Sequence, residues 1–301
     1  MHKNNSEFAD LSLLEKIRLV EHILVLHPQM QAILDKMDYC REHAKNALES
    51  IGMLVTGEKG TGKTTIMDVY LERNQIRKTR TATYIPVLPI RIPVPASERG
   101  LTITLLTALN DPYPSKGSIV VQTLRVYKLV EKCLVDLVIF DEFQHFAERE
   151  SFKLNRTVSD WTKNFMSETR RPLILFGTPK SAEILDGEEN EQLRRRFPYR
   201  MKLRKFGWKS KEDQMIFRKF LDTVDRKLPL SETSQLSDPK TSARIYKATG
   251  GLMFEIMRLI RWAAVATLKR DEPKISLDLL KESFEENLAT NSPNLRNPFK
   301  A

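Results

Sequence analysis

Apolar residues recur along the first fifty positions at steps of three and four, the spacing of one face of an α-helix. The pattern predicts helices over residues 10–26 and 30–48. His27-Pro28 separates them, because the residue before a proline disfavours the helical conformation. We therefore expect an N-terminal helical extension over residues 1–50.

Five short apolar runs follow, each of strand length and separated by gaps long enough for a crossover helix. They are Ile51–Thr56, Tyr84–Ile90, Leu134–Phe140, Leu173–Phe176 and Tyr199–Arg204. Parallel strands require such crossovers, so the pattern predicts a mainly parallel, doubly wound sheet over residues 51–205. The gap over residues 93–133 exceeds one crossover and predicts an extra helix or loop.

Beyond residue 206 the strand pattern does not return. Helical spacing appears instead in Gln214–Val224, Leu252–Leu268 and Leu277–Leu288. This predicts a separate helical subdomain over residues 206–290. Residues 291–301 are polar, with two prolines and no acids, and we expect a flexible tail there.

Composition adds a question about partners. The chain has 301 residues, 41% of them hydrophobic, enough for one large core or two modest ones. The net charge of +10 favours a polyanionic partner. The 49 bases are accompanied by 39 acids, so a solvated surface of mixed sign is the other interpretation.

The two cysteines, Cys40 and Cys133, lie far apart and indicate neither a disulfide framework nor a metal site. The N-terminus lacks a signal pattern, and no apolar run approaches the ~20 residues that span a bilayer. We expect a soluble cytoplasmic protein without membrane association.

The first chemical motif is the segment Gly57-Glu58-Lys59-Gly60-Thr61-Gly62-Lys63-Thr64. It matches the phosphate-binding loop G-x-x-x-x-G-K-[ST] and lies between a predicted strand and a predicted helix, as the mechanism requires. Backbone N–H groups would surround the phosphates, Lys63 would reach the β and γ phosphates, and Thr64 would ligate Mg²⁺. Thr65 completes the predicted nucleotide-binding set.

The third apolar run ends in Asp141-Glu142, at the position where a parallel strand delivers side chains to the carboxyl edge of its sheet. Asp141 is predicted to hold Mg²⁺, and Glu142 to polarise an attacking water, which favours hydrolysis over binding alone. A solvated pair of acids is the bland alternative. His145 has no ligand partners at metal-site spacing and is interpreted as a local hydrogen-bonding residue.

Two further candidate sites follow, one at the end of a predicted strand and one at the end of a predicted helix. Thr178, in Gly177-Thr178-Pro179, would lie beside the γ phosphate if its strand neighbours the P-loop strand, and it would then orient water. Arg194-Arg195-Arg196 closes a predicted helix, where arginines also complement a helix C-terminus. The sharper hypothesis is an arginine finger that reaches a neighbouring subunit's phosphate.

From His27-Pro28 to Arg261 the chain resembles AAA+ ATPases, and more narrowly the transposition regulators TnsC and TniB. The resemblance is carried by the ordered set of the His-Pro segment, GEKGTGKTT, VIFDEFQH, LFGTP and EQLRRRF. It implies an α/β AAA+ P-loop three-layer domain with a five-stranded mainly parallel sheet and a small C-terminal helical lid.

The resemblance also implies a function. Such a protein is an ATP- and Mg²⁺-dependent oligomer, a ring or helical filament, that assembles on double-stranded DNA and marks the insertion site. It recruits and stimulates the transposase together with a TniQ-like target-selection protein, and ATP hydrolysis disassembles it.

Residue roles follow from the same resemblance. Thr178 is the sensor, and the finger lies within Arg194–Arg196, with Arg196 preferred over Arg195. The usual sensor arginine is displaced: Glu255 stands near its place, and Arg258, one turn later, is the nucleotide-binding candidate. DNA contacts are expected between the second and third strands, which offer Arg91, Arg99, Lys116 and Ser118. Loops of that composition are also commonly plain solvated turns.

Other functions share parts of this pattern. A helicase-loader-like ATPase acting on nucleoprotein would carry the same motifs and differ in its partners. A small-molecule kinase would act as a monomer indifferent to DNA. A scaffold that never hydrolyses is opposed, but not excluded, by Glu142.

Overall fold

The chain forms two compact units in the computed structural model, which describes residues 8, 10–146, 152–187, 191–287 and 296–300, except for the side chains of residues 152–158. The sheet unit comprises residues 28–203. The helical unit comprises residues 1–27 together with residues 204–301.

Every strand within the described residues belongs to the sheet unit. In chain order they are β1 Met53–Thr56, β2 Arg77–Lys78, β3 Thr83–Tyr84, β4 Val87–Arg91, β5 Leu137–Asp141, β6 Leu173–Gly177 and β7 Tyr199–Lys202. In the described residues five of them form one sheet in the order β4-β5-β6-β1-β7, with every neighbouring pair parallel. The predicted parallel sheet is confirmed. The antiparallel β2–β3 hairpin was not predicted, because strands of two residues leave no periodic signal.

The helices are α1 Leu13–Glu21, α2 Pro28–Asn46, α3 Lys63–Arg73, α4 Glu98–Ala108, α5 Ile119–Lys132, α6 Phe152–Thr169, α7 Ser181–Asp186, α8 Glu191–Arg196, α9 Lys211–Lys227, α10 Pro239–Thr249, α11 Met253–Lys269 and α12 Leu277–Asn287. A 3₁₀ turn covers Phe143–Phe146. The long gap after β4 holds the expected extra helix, since both α4 and α5 lie there. None of the helices in the described ranges is long and apolar enough to cross a membrane.

The central strands are buried along their length. All four residues of β5 from Leu137 to Phe140, and all of β6, are buried, whereas β7 at the sheet edge alternates between half-buried and exposed positions. A central parallel strand is covered by helices on both faces, which explains its continuous apolar run. The core of the sheet unit includes Phe140, Trp161 and Phe165, whose rings pack together.

The expected N-terminal extension over residues 1–50 is divided between the two units. Within the sheet unit, α2 is held by the ion pair of Arg41 with Asp136 at 2.5 Å. Within the helical unit, Arg261 Nη2 donates to Ile23 O at 3.1 Å and Lys227 Nζ to Leu24 O at 2.8 Å. The boundary therefore falls before Pro28 and not near residue 50.

The helical unit is built on an aromatic cluster. The Phe206 ring lies 5.3 Å from that of Phe217 and 4.8 Å from that of Phe220, and Trp208 stacks on Tyr246 at 5.0 Å. Helix α10, which the sequence analysis did not predict, closes this cluster. Its start is capped by Asp238, which is a favoured N-cap residue.

The described end of the expected flexible tail is packed against α12. Phe299 is buried and its ring centroid lies 6.4 Å from that of Phe284. Asn297 Nδ2 donates to Lys281 O at 3.2 Å, and Lys300 pairs with Glu285 at 2.9 Å. Burial of one aromatic side chain outweighs the polar composition that suggested flexibility. Residues 291–295 lie outside the described residues.

Candidate nucleotide-binding site

Three motifs meet at the carboxyl edge of the sheet. Strand β1 lies between β6 and β7, and Thr56 is in register with Gly177. Gly57 N donates to Gly177 O at 3.1 Å, which places the P-loop beside the turn that carries Thr178. Because β5 pairs with β6 on the other side, Asp141 and Glu142 reach the same edge. The neighbour relationship on which the Thr178 prediction depended is present.

The loop over residues 57–64 depends on its glycines. Gly60 and Gly62 adopt positive φ angles of 80° and 103°, a conformation that glycine takes at little cost. A Cβ on Gly57 would lie 2.7 Å from both Leu203 O and Thr61 Oγ1, so no larger residue fits. The Thr61 hydroxyl, nearly fully buried, donates to Glu58 O at 2.8 Å and closes the turn.

Lys63 and the first turn of α3 give the loop its positive character. Lys63 Nζ donates to Gly57 O at 2.8 Å and to Glu58 O at 3.0 Å, which folds the side chain over the loop. Burial lowers the pKa of Lys63, while the charges of Glu142 and Asp141 oppose that shift. Thr64 is exposed and Thr65 half-buried in the first turn, where backbone N–H groups have no partner within the helix.

The acid pair lies at the end of β5. Burial raises the pKa of Asp141, and the nearby Glu142 charge adds to this. The Glu142 N–H, which donates to Asp141 Oδ1 at 2.8 Å, and the charges of Arg91 and Lys63 act in the opposite direction. Glu142 has a φ of 57°, which is uncommon for a residue with a side chain and occurs often at functional turns.

Two residues at this edge were not assigned to it from the sequence. Arg91, considered for DNA contact, is the register partner of Asp141 across the β4–β5 pair. Gln144 is buried in the 3₁₀ turn and contacts both Glu142 and the backbone of Thr178. Neither position stands out by spacing, because their proximity comes from strand pairing and from a turn.

The arginine cluster lies at the opposite end of β1. Gly52 N, just before β1, donates to Arg196 O at 2.6 Å, and Arg196 Nη2 donates to Ser167 Oγ at 2.9 Å. Arg195 is exposed and pairs with Glu191 at 2.7 Å, and Arg194 is also exposed. The four residues of β1 separate this cluster from the P-loop of the same chain by ~13 Å.

Arg258 lies in α11 of the helical unit. It pairs with Glu255 at 2.8 Å, donates to Asn287 O at 2.7 Å, and stands 5.5 Å from the Phe254 ring centroid. The half-buried side chain is thus held by partners within the helical unit. Its predicted contact with nucleotide stays a prediction.

The DNA-contact candidates lie on the segment between β4 and β5. Arg99 is exposed on α4, and Lys116 is exposed with its Nζ 5.2 Å from the Tyr113 ring centroid. Ser118 is the N-cap of α5, and its Oγ accepts from Val121 N at 3.5 Å. The segment before α5 therefore ends in an N-cap residue, with the Lys116 ammonium group close to it in the sequence.

Arg125 gives that loop a fixed shape. It pairs with Asp111 at 3.1 Å and donates to Lys116 O at 3.1 Å and to Tyr113 O at 2.7 Å. One guanidinium thus holds three points of the loop over residues 111–118. A plain solvated turn lacks such a clamp. Arg125 has no sequence pattern that links it to the loop, because it lies a full helical turn or more beyond it.

The loop, the acid pair and the parallel sheet define a P-loop ATPase fold of the AAA+ class. The sequence matches the family model described as Bacterial TniB protein over residues 16–208, well over half of the chain. The chain therefore belongs to the TniB family, and the resemblance read from its motifs is confirmed.

Two solved structures of similar fold come from archaea. The Aeropyrum pernix ORC1 protein in complex with DNA matches with a TM-score of 0.61 and 15% identity over 90% of this chain and 69% of that one. CDC6P from Pyrobaculum aerophilum matches with a TM-score of 0.64 and 15% identity over 90% and 71%. These identities establish the AAA+ fold alone. No curated protein matches the sequence significantly.

Proposed function

We propose that the protein is an ATPase that assembles on double-stranded DNA and regulates transposition. The observation that carries the proposal is the convergence of Lys63, Asp141, Glu142 and Thr178 at one sheet edge. Membership of the TniB family supports the transposition role. The DNA in the Aeropyrum pernix ORC1 complex supports DNA as the polyanion that the net charge favours.

The residues present fit MgATP. The loop fits a phosphate cradle for two reasons. A Cβ at residue 57 would clash with neighbouring atoms, and Gly60 and Gly62 have the positive φ angles of a tightly curled loop. In the described residues no cluster of three His, Cys, Asp or Glu side chains forms a metal cage. Mg²⁺ suits this site, because it is commonly held by one or two protein oxygens together with substrate phosphates and water. Thr64 and Asp141 would provide the protein oxygens, and the ion would neutralise charge on the phosphates.

The chain's own residues have distinct parts in hydrolysis. Loop N–H groups and Lys63 bind the phosphates, and Lys63 exchanges its bonds with Gly57 O and Glu58 O for bonds to them. Glu142 accepts a proton from the attacking water, and Thr178 orients that water. Arg196 acts on the phosphate of a neighbouring copy, and Arg195 supports it.

The biological cycle follows from these parts. ATP favours a ring or filament on the duplex, where Arg99, Lys116 and Ser118 contact phosphates without reading sequence. The assembly recruits the transposase and a TniQ-like target-selection protein. Hydrolysis then releases the subunits.

The test compares assembly on duplex DNA without nucleotide, with ADP and with a non-hydrolysable ATP analogue, by sedimentation and negative-stain imaging. Rings or filaments that require the ATP analogue support the proposal. Glu142→Gln should assemble with ATP itself and persist, because it binds but does not hydrolyse. A nucleotide-binding monomer indifferent to DNA would overturn the proposal in favour of a small-molecule kinase. Assembly that loads a replicative helicase, without effect on a transposase, would favour the helicase-loader function.

A further inference from the structure

Gln144 connects the acid pair to the turn after β6. Its side chain is 3% exposed, and a buried amide requires partners for both its donor and its acceptor. Nε2 donates to Glu142 Oε2, and Oε1 accepts from Thr178 N at 3.0 Å. These two partners fix the orientation of the amide. In the flipped amide, Oε1 would lie against the Glu142 carboxylate and Nε2 against the Thr178 N–H group, and neither hydrogen bond could form.

The close approach of Gln144 depends on Gly177. A Cβ at residue 177 would lie 2.8 Å from Gln144 Oε1 and 2.0 Å from Ser181 Oγ. Glycine at the end of β6 therefore leaves the space in which the amide reaches the Thr178 N–H group. We call the two hydrogen bonds of Gln144, to Glu142 and to Thr178, the bridge. The backbone at both of its ends is fixed: Thr178 follows a buried strand, and the His145 N–H donates to Glu142 O at 3.0 Å.

The contact restricts a side chain that otherwise has many rotamers. A glutamate loses a substantial conformational entropy when it is held in one position, so a fixed donor is needed to keep its carboxylate in place. An ionised carboxylate has about four acceptor sites, and the bond at Oε2 leaves capacity for a water molecule. Gln144 can thus orient the Glu142 carboxylate while that carboxylate still accepts a proton from water.

We propose that Gln144 is a positioning residue for hydrolysis, which fixes the Glu142 carboxylate and ties its position to the Thr178 turn. The inference rests on the proposed ATPase function, because it assigns the base to Glu142. A displacement of the Thr178 backbone moves the acceptor end of the amide and, through the same side chain, the donor that holds Glu142. The carboxylate and the sensor turn then respond together.

Two substitutions separate the two ends of the bridge. Gln144→Leu removes both hydrogen bonds at similar volume. Gln144→Glu retains an acceptor for the Thr178 N–H group but loses the donor to Glu142. Gln214→Leu is the matched control, because Gln214 Nε2 donates to Trp208 O within the helical unit, outside the site.

The first measurement is amide hydrogen exchange at Thr178 in nucleotide-free protein, read by NMR. Wild type, Gln144→Glu and Gln214→Leu should protect this amide alike, and Gln144→Leu should lose protection by about tenfold or more. The second is steady-state hydrolysis with duplex DNA. Both Gln144 variants should lose about tenfold or more in kcat with KM for ATP within about twofold, as expected for lost orientation of a base.

The outcomes distinguish the inference from the function beneath it. Wild-type hydrolysis together with unchanged kcat in both Gln144 variants overturns the positioning role and leaves the ATPase intact. Thr178 exchange unaffected by Gln144→Leu shows that the bridge does not exist in solution. A raised KM and a lowered melting temperature without a loss of kcat would mean that Gln144 only supports packing. Absence of hydrolysis by the wild type removes both proposals.

Discussion

Gly52 N and Arg196 O are joined by a hydrogen bond of 2.6 Å at the amino end of β1, while the P-loop begins at Gly57 at its carboxyl end. Arg196 therefore lies at the opposite edge of the sheet from the proposed phosphate cradle of its own chain. An arginine in that position serves hydrolysis only if it faces the cradle of another copy. The relationship makes a subunit-mixing experiment decisive.

The Arg196→Ala and Glu142→Gln variants should each lose most of their ATPase activity. The first lacks the arginine that acts on the neighbouring copy, and the second lacks the base. A mixture of the two inactive variants should recover activity, because some interfaces join an intact Glu142 from one copy to an intact Arg196 from the next. With random assembly and equal amounts, about a quarter of the interfaces are complete, so about a quarter of the wild-type rate is expected.

Arg218→Ala, which changes an arginine that donates to Ser237 O in the helical unit, is the control and should retain its rate alone. A mixture no more active than its components would show that Arg196 does not act across an interface. Full activity of Arg196→Ala by itself, at assembling concentrations, would remove the finger assignment altogether.

The parts of this fold that could be predicted from the sequence are those with a hydrophobic pattern or a motif of their own. The buried strands β5 and β6 are continuous apolar runs because helices cover both their faces, and the P-loop motif has one structural context. Strand boundaries shifted by a few residues: Tyr84 lies in the hairpin and not in β4, and β5 begins at Leu137 because Leu134 ends the α5 turn with a positive φ of 50°.

What the sequence did not predict depends on contacts between distant residues. The division of the first fifty residues follows from single bonds such as Arg261 to Ile23 O, which leave no local pattern. Arg91 reaches Asp141 only through strand register, and Arg125 organises its loop across the entry of α5. Such contacts arise only when the chain folds, so the secondary-structure propensity of a single residue does not predict them.

Gly57→Ala should abolish nucleotide binding. The new methyl group would lie 2.7 Å from the Leu203 backbone oxygen, so the loop must move and its N–H groups no longer converge. Titration with a fluorescent ATP analogue should show a loss of affinity of at least about a hundredfold, or about 3 kcal/mol.

The control for this substitution is Gly250→Ala. Gly250 also has a positive φ, of 58°, but a Cβ there meets no atom within 4 Å. The methyl group adds backbone strain of about 1 kcal/mol without touching the cradle. Similar affinities of the two variants for the analogue would contradict the assignment of the 57–64 loop as the phosphate site.

Lys116→Glu should weaken binding to duplex DNA and reduce its salt dependence. If Lys116 neutralises one phosphate, its loss lowers the slope of log affinity against log salt by about 0.9. Lys132→Glu gives the same charge change at the far end of α5, ~20 Å away, and should alter the slope much less. Equal slopes for wild type and Lys116→Glu would place the DNA surface elsewhere.

Arg125→Gln tests whether the shape of that loop matters beyond its charge. The substitution removes the ion pair with Asp111 and the bonds to Tyr113 O and Lys116 O, but Lys116 itself remains. We expect DNA affinity to fall by several-fold, as for a contact that loses its preorganisation. An Arg125→Gln affinity equal to that of the wild type would show that Lys116 acts as a free charge.

His27 should make the helical unit sensitive to mild acid. Its ring is 6% exposed and packs 5.1 Å from the Phe206 ring centroid, and burial lowers the pKa of His27 to about 4, below its ordinary value of about 6.5. The unfolded chain therefore binds a proton between these pH values that the folded chain excludes. Stability from this group is complete above pH 6.5 and is lost as pH falls toward 4, by up to about 3 kcal/mol.

His27→Leu removes the titration and should flatten the fall in melting temperature of the helical unit between pH 6.5 and 4. The exposed His22, changed to Gln, is the control and should leave that slope as in the wild type. Because leucine keeps the site apolar, its effect above pH 6.5 should be small by comparison. If His27→Leu and wild type lose stability in parallel as the pH is lowered, the acid sensitivity belongs to carboxylates and not to the buried imidazole.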